Sequence, residues 1–456
     1  MDSAMKFRTF TFSRLPIQQF VWLVGPAQLV ISMVSKELLR HLVIQQKTQI
    51  EKSGEFIERS LFDRVLAAMD DNRVIILSGI RRCGKSTLLK QIMQTRKNYC
   101  YVNFEDERLL SFRAEDFSVL DEVLIEMYGP SGTYFFDEIQ NVEKFETFVR
   151  RLQDSGKKVV LTGSNASLLS QEFGTRLTGR YKLFEVYPFS FEEFLRFEKT
   201  ELSKESLYLP EEKVNLIRLF DHYAECGGMP EYLRNNDSDY IQTLYDNILY
   251  RDIIARYSIR RQRLVRELVG ILASTITLPF TYNSLKKSLG LMNAITVKEY
   301  ISYLSGAYLF FELLRFDYSV KKQLNSPRKI YIIDTAFSAI SGFSLSPDKG
   351  RILENIVFIE LMRRGTKIFY FAGVQECDFI LKDKKKITDA IQVCYEFTKE
   401  NRDRETGGLL KAMAEFKLTQ GMILTYDQED TLAFEGKTII IRPVWKWLLD
   451  NFTVPA

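Results

Sequence analysis

Two histidines and five cysteines in 456 residues leave little material for imidazole or thiolate chemistry. His41 and His222 are too few for a histidine-built metal centre or triad. Cys83, Cys100, Cys226, Cys377 and Cys394 form no CxxC pair, which argues against a zinc or redox motif. An odd, scattered set of thiols suits a reducing compartment, and a cytoplasmic location is expected. Charge of one sign is also lacking: 63 basic residues against 59 acidic ones give +4, too small an excess to argue for nucleic acid by itself. Long apolar runs are missing too. Residues 20–34 are apolar but short of the roughly 20 residues of a membrane span. Gly25, Pro26 and Gln28 interrupt them. Stable membrane insertion is not expected; residues 1–32 read as an upstream extension, with the start at Met33.

What is present is an ordinary globular mix, with 46% hydrophobic and 27% charged residues, which excludes a fibrous or wholly disordered chain. Residues 55–204 alternate strand and helix patterns. Strands are expected at 73–78, 98–104, 133–136 and 158–162, with a helix from Lys85 to about Thr95, the pattern of a parallel sheet covered by helices. Residues 205–325 read as helical, with apolar spacing over Tyr240 to Arg256 and Arg261 to Thr275. Short helices at 282–288 and 295–304 precede a strand at 308–316, the order of a winged-helix module. Residues 326–456 return to α/β, with strands at 329–334, 367–372, 376–381 and 389–395 and a helix at 351–364. Residues 1–54 make an N-terminal extension and helix.

Gly79-Ile80-Arg81-Arg82-Cys83-Gly84-Lys85-Ser86 matches GxxxxGK[ST] at every fixed position, between a strand and a helix. Such a loop turns backbone N–H groups toward phosphate oxygens, with the helix dipole behind them. Lys85 reaches the phosphates of ATP, Ser86 ligates Mg2+, and Thr87 continues the binding turn. Asp137 and Glu138 end an apolar strand. There, Asp137 holds the metal and Glu138 polarises the attacking water. Thr162, Ser164 and Asn165 follow the next strand and could touch water or γ-phosphate, or cap a helix. Arg176 and Arg180 are candidates to offset transition-state charge, in cis or from a neighbouring subunit.

The stretches GIRRCGKSTLL, FFDEIQNV, LTGSNASLLS and GRYKLFEVYPFSFEEFL, with GGMPEYL, YRDIIARY, KIYIIDTAF, LENIVFIELMRRG and ECDFIL further on, resemble AAA-type ATPases of bacteria and archaea that carry a C-terminal domain of unknown function. The resemblance runs from about residue 55 to 448. It implies a P-loop core of the additional-strand, catalytic-glutamate type, a winged-helix-like module, and a C-terminal domain similar to PD-(D/E)xK nucleases. On that pattern Glu354 fits the helix acid, Asp378 the strand acid and Gln392 the second metal ligand. Cys394 stands where the fixed lysine belongs, so a scaffold kept for docking is favoured over a nuclease. Lys382, Lys384 or Arg402 are the candidates to fill that gap.

The expected function is therefore a Mg2+-dependent ATPase that couples nucleotide state to a nuclease-like, non-cleaving domain. Its partner would be a protein or DNA, and a homo-oligomer would let an arginine act in trans. One alternative is a DNA-processing ATPase-nuclease, which DNA-stimulated ATPase activity would favour. Another is a nucleotide-switched interaction protein, which tight ATP binding without phosphate release would favour. Lys286, Lys287, Lys298 and Tyr300 are the candidates to face a phosphate backbone.

Overall fold

The apolar run VIILS forms β1 (Val74–Ser78), buried at every residue, as a strand covered on both faces must be. In the computed structural model, β2 (Cys100–Asn103), β3 (Thr133–Asp137), β4 (Lys158–Gly163) and β5 (Tyr181–Glu185) join it in the order β2-β3-β4-β1-β5. Every pairing is parallel. The order inserts β4 between the strand that feeds the glycine loop and the strand that ends in the two acids. The structure describes residues 34–51, 56–130, 132–164, 179–203, 206, 209–340 and 348–450. The expectations for residues 1–32, Asn165 and Arg176 lie outside that set.

Alternation along the strands sends side chains to two cores. Val74 and Ile76 face a cluster with Val102, Phe136 and Leu161, closed by the helices Lys36–Glu51, Phe117–Tyr128 and Phe145–Asp154. Ile75 and Leu77 face the other cluster, which runs on through Ile253, Tyr308 and Tyr331 to Phe379 and Trp445. One face of the nucleotide-loop sheet thus shares its apolar core with the rest of the chain, and Val34 onward forms one compact unit.

The helices Pro210–Cys226, Ser238–Asn247 and Gln262–Ser274 make the middle region. The single helix expected over Tyr240 to Arg256 is interrupted: Ile248–Ala255 is wound as a π-helix. The helices Tyr282–Ser288 and Ala294–Gly306 lead into β7 (Phe310–Leu314). With β6 (Pro279–Phe280) and β8 (Arg328–Ile332) it forms an antiparallel sheet, order β6-β8-β7. A boundary at 325/326 would therefore cut this sheet, because β8 pairs backward with β6 and β7. Tyr300 is only 9% exposed and packs inside the module, so it does not face a phosphate backbone.

The last part runs helix Lys349–Arg363, β9 (Lys367–Ala372), β10 (Glu376–Asp383), β11 (Lys386–Val393), helix Arg402–Glu415, β12 (Gln420–Thr425), β13 (Asp430–Phe434) and β14 (Lys437–Pro443). β9, β10 and β11 are antiparallel neighbours, whereas β12 pairs parallel with both β11 and β14. Among the described residues no helix is long and apolar enough to cross a membrane.

Candidate nucleotide site and a buried lysine–carboxylate cluster

The loop Gly79 to Gly84 lies at the C-terminal end of β1 and opens the helix Lys85–Gln94. Two of its positions admit only glycine. A Cβ at Gly79 would stand 2.0 Å from the Val186 carbonyl oxygen. Gly84 has φ +102°, and a Cβ there would meet the Arg59 guanidinium at 2.7 Å. Arg59 is buried beneath the loop. It donates to the Cys83 carbonyl at 2.8 Å, the Tyr187 carbonyl at 2.6 Å and Glu193 Oε1 at 3.0 Å. No local motif marks Arg59.

Lys85 is buried and folded over its own loop, donating to the carbonyls of Gly79 at 3.1 Å and Ile80 at 3.0 Å. Its Nζ lies 3.6 Å from Glu138 Oε1. Ser86 Oγ donates to Asp137 Oδ1 at 3.1 Å, and the Tyr101 hydroxyl donates to Asp137 Oδ2 at 3.3 Å. Thr162 on β4 sits between the two acids. Its hydroxyl accepts from the Glu138 amide at 2.9 Å and donates to Asp137 Oδ1. Glu138 itself has φ +50°, a left-handed conformation that costs a non-glycine residue free energy. Gln140 Nε2 donates to Glu138 Oε2 at 2.6 Å and reaches Ser164 Oγ at 3.5 Å. Lys85, Ser86, Asp137, Glu138, Thr162 and Ser164 thus converge on one crevice at the strands' C-terminal ends.

The two neighbouring acids titrate in opposite directions. Burial, then the Glu138 charge, holds the Asp137 carboxyl above its ordinary range. Burial pushes Glu138 the same way, but Lys85, Gln140 and Arg81 outweigh it and hold Glu138 below the usual range. Glu138 is therefore a carboxylate at neutral pH, as a base must be. Ser86 and Asp137 offer hard oxygen donors, and a divalent cation there would relieve the strain on a buried Asp137, so Mg2+ fits these residues.

The variable loop residues look toward the middle region. Arg81 forms a two-pronged pair with Asp252 on the π-helical segment, 2.9 Å at each contact, and a 2.8 Å contact with Glu105. Arg82 reaches Glu231 at 3.4 Å. The Tyr308 hydroxyl, from the turn before β7, donates to Ser78 Oγ at 3.0 Å.

Arg180 is not in this crevice. Its carbonyl accepts from the Val74 amide at the start of β1, and its half-exposed guanidinium pairs with Asp154 at 2.7 Å. It sits at the opposite end of the sheet from the phosphate loop, so it cannot reach a nucleotide bound by its own chain.

A second convergence lies between β8 and the C-terminal sheet. Glu354, Asp378 and Gln392, the positions the resemblance pointed to, come together, but the cation beside them is Lys329. Its Nζ lies 3.0 Å from Glu354 Oε1, 2.6 Å from Glu376 Oε1 and 2.9 Å from Asp378 Oδ1. Lys382 and Lys384 stand at the far tip of the β10–β11 hairpin, and Arg402 stacks over Phe434 at 5.5 Å, so none of the three fills the position. Tyr331 donates to Glu354 Oε1 at 2.7 Å, and the Val393 amide to Asp378 Oδ2 at 3.0 Å. Gln392 turns its amide to Glu405, 3.0 Å away, while its carbonyl accepts from the Asp378 amide. Burial and then Asp378 raise the Glu354 carboxyl, which Lys329 and Tyr331 oppose. Lys329, Glu354, Asp378 and Gln392 are each less than a tenth exposed.

Residues 71–195 match a family described as an AAA domain, and residues 217–344 match a domain of unknown function. The uncharacterized protein MJ1544 of Methanocaldococcus jannaschii is 34% identical over 92% of this chain and 97% of its own length. An uncharacterized protein of Haemophilus influenzae is 28% identical over 83% of this chain and 95% of its own. Among solved structures, the Walker-type ATPase PABY2304 of Pyrococcus abyssi is similar at 16% identity and a TM-score of 0.41, covering 62% of this chain and 95% of that one. The glycine loop, the paired acids and the likeness over 92% of the chain agree: the chain belongs to the family of MJ1544, and it carries an AAA domain followed by a domain of unknown function.

Proposed function

We propose that the chain is a Mg2+-dependent ATPase whose nucleotide state is transmitted to the middle and C-terminal parts. The observation that carries this reading is the placement of Asp137 and Glu138 across from Ser86 and Lys85, with Thr162 bonded to both acids. Lys85 would leave the loop carbonyls for the β- and γ-phosphates. Ser86 and Asp137 would hold Mg2+, which would supply positive charge to offset the negative charge of the phosphates. Glu138 would accept a proton from the attacking water, held in position by Gln140 and Thr162. Arg180 enters only as a trans candidate from a second copy.

Transmission is supported by Arg81–Asp252, Arg82–Glu231 and Tyr308–Ser78, which tie the loop and its strand to the middle region. A loop that tightens on phosphate would pull on these links. The helix pair Tyr282–Ser288 and Ala294–Gly306 with its three-stranded sheet is read as a winged-helix module. The helix–three strands–helix–strand order from Lys349 to Thr425 is read as a nuclease-like scaffold. That scaffold is read as non-cleaving, because Lys329 occupies the centre of the carboxylates, Gln392 is engaged with the Asp378 amide and Glu405, and the group is buried from a polymer. The test of the ATPase reading is phosphate release and fluorescent-nucleotide binding with Mg2+ and with chelator. Release should require Mg2+, and Lys85→Ala should lose nucleotide affinity; chelator-independent release, or unchanged affinity in Lys85→Ala, would overturn it.

A further inference from the structure

The tip of the β10–β11 hairpin, the start of β9 and the segments around Tyr318 and Phe416 border an open cavity of about 700 Å³. It belongs neither to the nucleotide crevice nor to the buried cluster: Lys382 lies four residues beyond Asp378 on β10, about 13 Å at the rise of a strand. Lys367, Lys382, Lys385, Lys386 and Lys417 line it against two acids, Asp317 and Glu415. None of the five lysines forms an ion pair among the described residues.

Apart from Lys367, whose ammonium lies 5.7 Å from the centre of the Phe369 ring, the side chains of these lysines have no hydrogen-bond or ring partner among the described residues. Lys367 and Lys382 are direct cross-strand partners, and like charges in that relation destabilise a sheet. The hairpin connection is Lys384–Lys385, and Lys384 takes φ +50°, a position that favours glycine. Lys417 takes φ +57°, again a position that favours glycine. Positive charge has been placed where register and backbone both oppose it, which points to an anionic ligand.

The rest of the cavity specifies the kind of anion. Phe316 forms its centre, edge-on to Tyr318 at 5.2 Å, to Phe416 at 5.0 Å and to Phe369 at 5.7 Å. Tyr318 is 75% exposed, yet its hydroxyl is held by Glu415 at 3.2 Å, so an aromatic face is presented to solvent in a fixed attitude. Lysines that follow a phosphate backbone beside a pinned aromatic face are the elements of single-strand recognition. Among the described residues no arginine lines the cavity, so the two-pronged readout of guanine in a duplex has no donor among them. An acidic peptide would use the lysines but has no need of the exposed ring.

We propose that this cavity binds single-stranded nucleic acid without sequence preference, phosphates on the hairpin lysines and a base stacked on Tyr318. The test is fluorescence anisotropy of a labelled oligothymidylate of about 20 nucleotides on the full chain, between about 50 and 200 mM salt. The variants are Tyr318→Ala, Tyr318→Phe and the triple change Lys382→Glu, Lys385→Glu and Lys386→Glu. Fluorescent-nucleotide binding to the P-loop in the same preparations reports folding. The triple variant should lose at least about tenfold in affinity and show a shallower salt dependence, by about 0.7 per phosphate contact removed. Tyr318→Ala should lose about tenfold with the salt slope unchanged, and Tyr318→Phe should bind as wild type. The proposal is overturned if wild-type protein does not bind the oligonucleotide, or if the triple variant binds equally well. It is also overturned if Tyr318→Ala is neutral while polyglutamate displaces the strand, which would make the surface a site for acidic peptide.

Discussion

The guanidinium of Arg81, in the middle of the glycine loop, grips both carboxylate oxygens of Asp252, 171 residues later, at 2.9 Å each. Asp252 is 3% exposed and sits on the π-helical turn, whose extra residue per turn re-aims side chains relative to an α-helix. The loop that would meet phosphate is therefore anchored to the middle region by a buried, two-pronged ion pair.

Breaking that pair from one side should be costly. Asp252→Ala should lose about 1.5–3 kcal/mol in urea unfolding, because it removes the two-pronged partner of Arg81 and leaves it only the contact with Glu105. Asp252→Ala with Arg81→Ala should lose less than the sum of the single changes, the non-additivity expected of direct partners. Additive losses would mean that the pair does not couple the two segments.

Lys329→Met should be destabilising for the same reason, leaving Glu354, Glu376 and Asp378 without their shared cation. With Lys329 gone, the burial that already raises the Glu354 carboxyl is no longer opposed by that cation, and a raised folded pKa means stability lost as pH rises. The melting-temperature deficit of Lys329→Met relative to wild type should therefore grow from pH 5 to pH 8 on the order of several degrees. A deficit independent of pH would contradict the ion cluster.

With Mg2+ or Mn2+, with or without ATP, supercoiled, linear, branched and single-stranded DNA should remain intact in gel assays. Cleavage that Asp378→Ala abolishes would refute the scaffold reading; cleavage that survives Asp378→Ala would come from a contaminant.

Asp334 supplies a pH effect of its own. Burial pushes its carboxyl up to about 6, opposed by the amides of Gly228 at 2.9 Å and Ala336 at 2.8 Å and by Arg363. Its folded pKa lies above the unfolded value, so its contribution is complete below about pH 4 and is lost as pH rises through about 6. Asp334→Asn does not ionise. The melting temperature of Asp334→Asn minus that of wild type should rise between about pH 4.5 and 7.5. A constant difference would show that Asp334 titrates normally.

The parts legible in the sequence were those whose chemistry is contiguous. Gly79 to Ser86 and the strand ending in Asp137 and Glu138 carry their own context of strand, turn and helix, and the sheet order places them together. Glu354, Asp378 and Gln392 were legible only through the resemblance. Arg59, Asp252 and Lys329 were not legible as site residues, because each is isolated in its own segment and acquires a role only when the tertiary fold closes. Lys382, Lys384 and Arg402 are the cations near Cys394 in sequence, and none of them reaches the carboxylates. Lys329 arrives instead from β8, a strand of another sheet. The π-helical turn was hidden because apolar residues at 248, 249, 253 and 254 fit an α-helix as well. Arg180 misled because its motif is continuous with the phosphate site in sequence while β5 begins at the far end of the sheet.

The most direct measurement is single-turnover phosphate release by Glu138→Gln beside wild type, with nucleotide affinity determined on the same preparations. Glutamine keeps the shape of the side chain but cannot take a proton from water. Binding should stay within a few-fold of wild type while hydrolysis falls by about 10²–10⁴-fold. Wild-type turnover by Glu138→Gln would contradict the account.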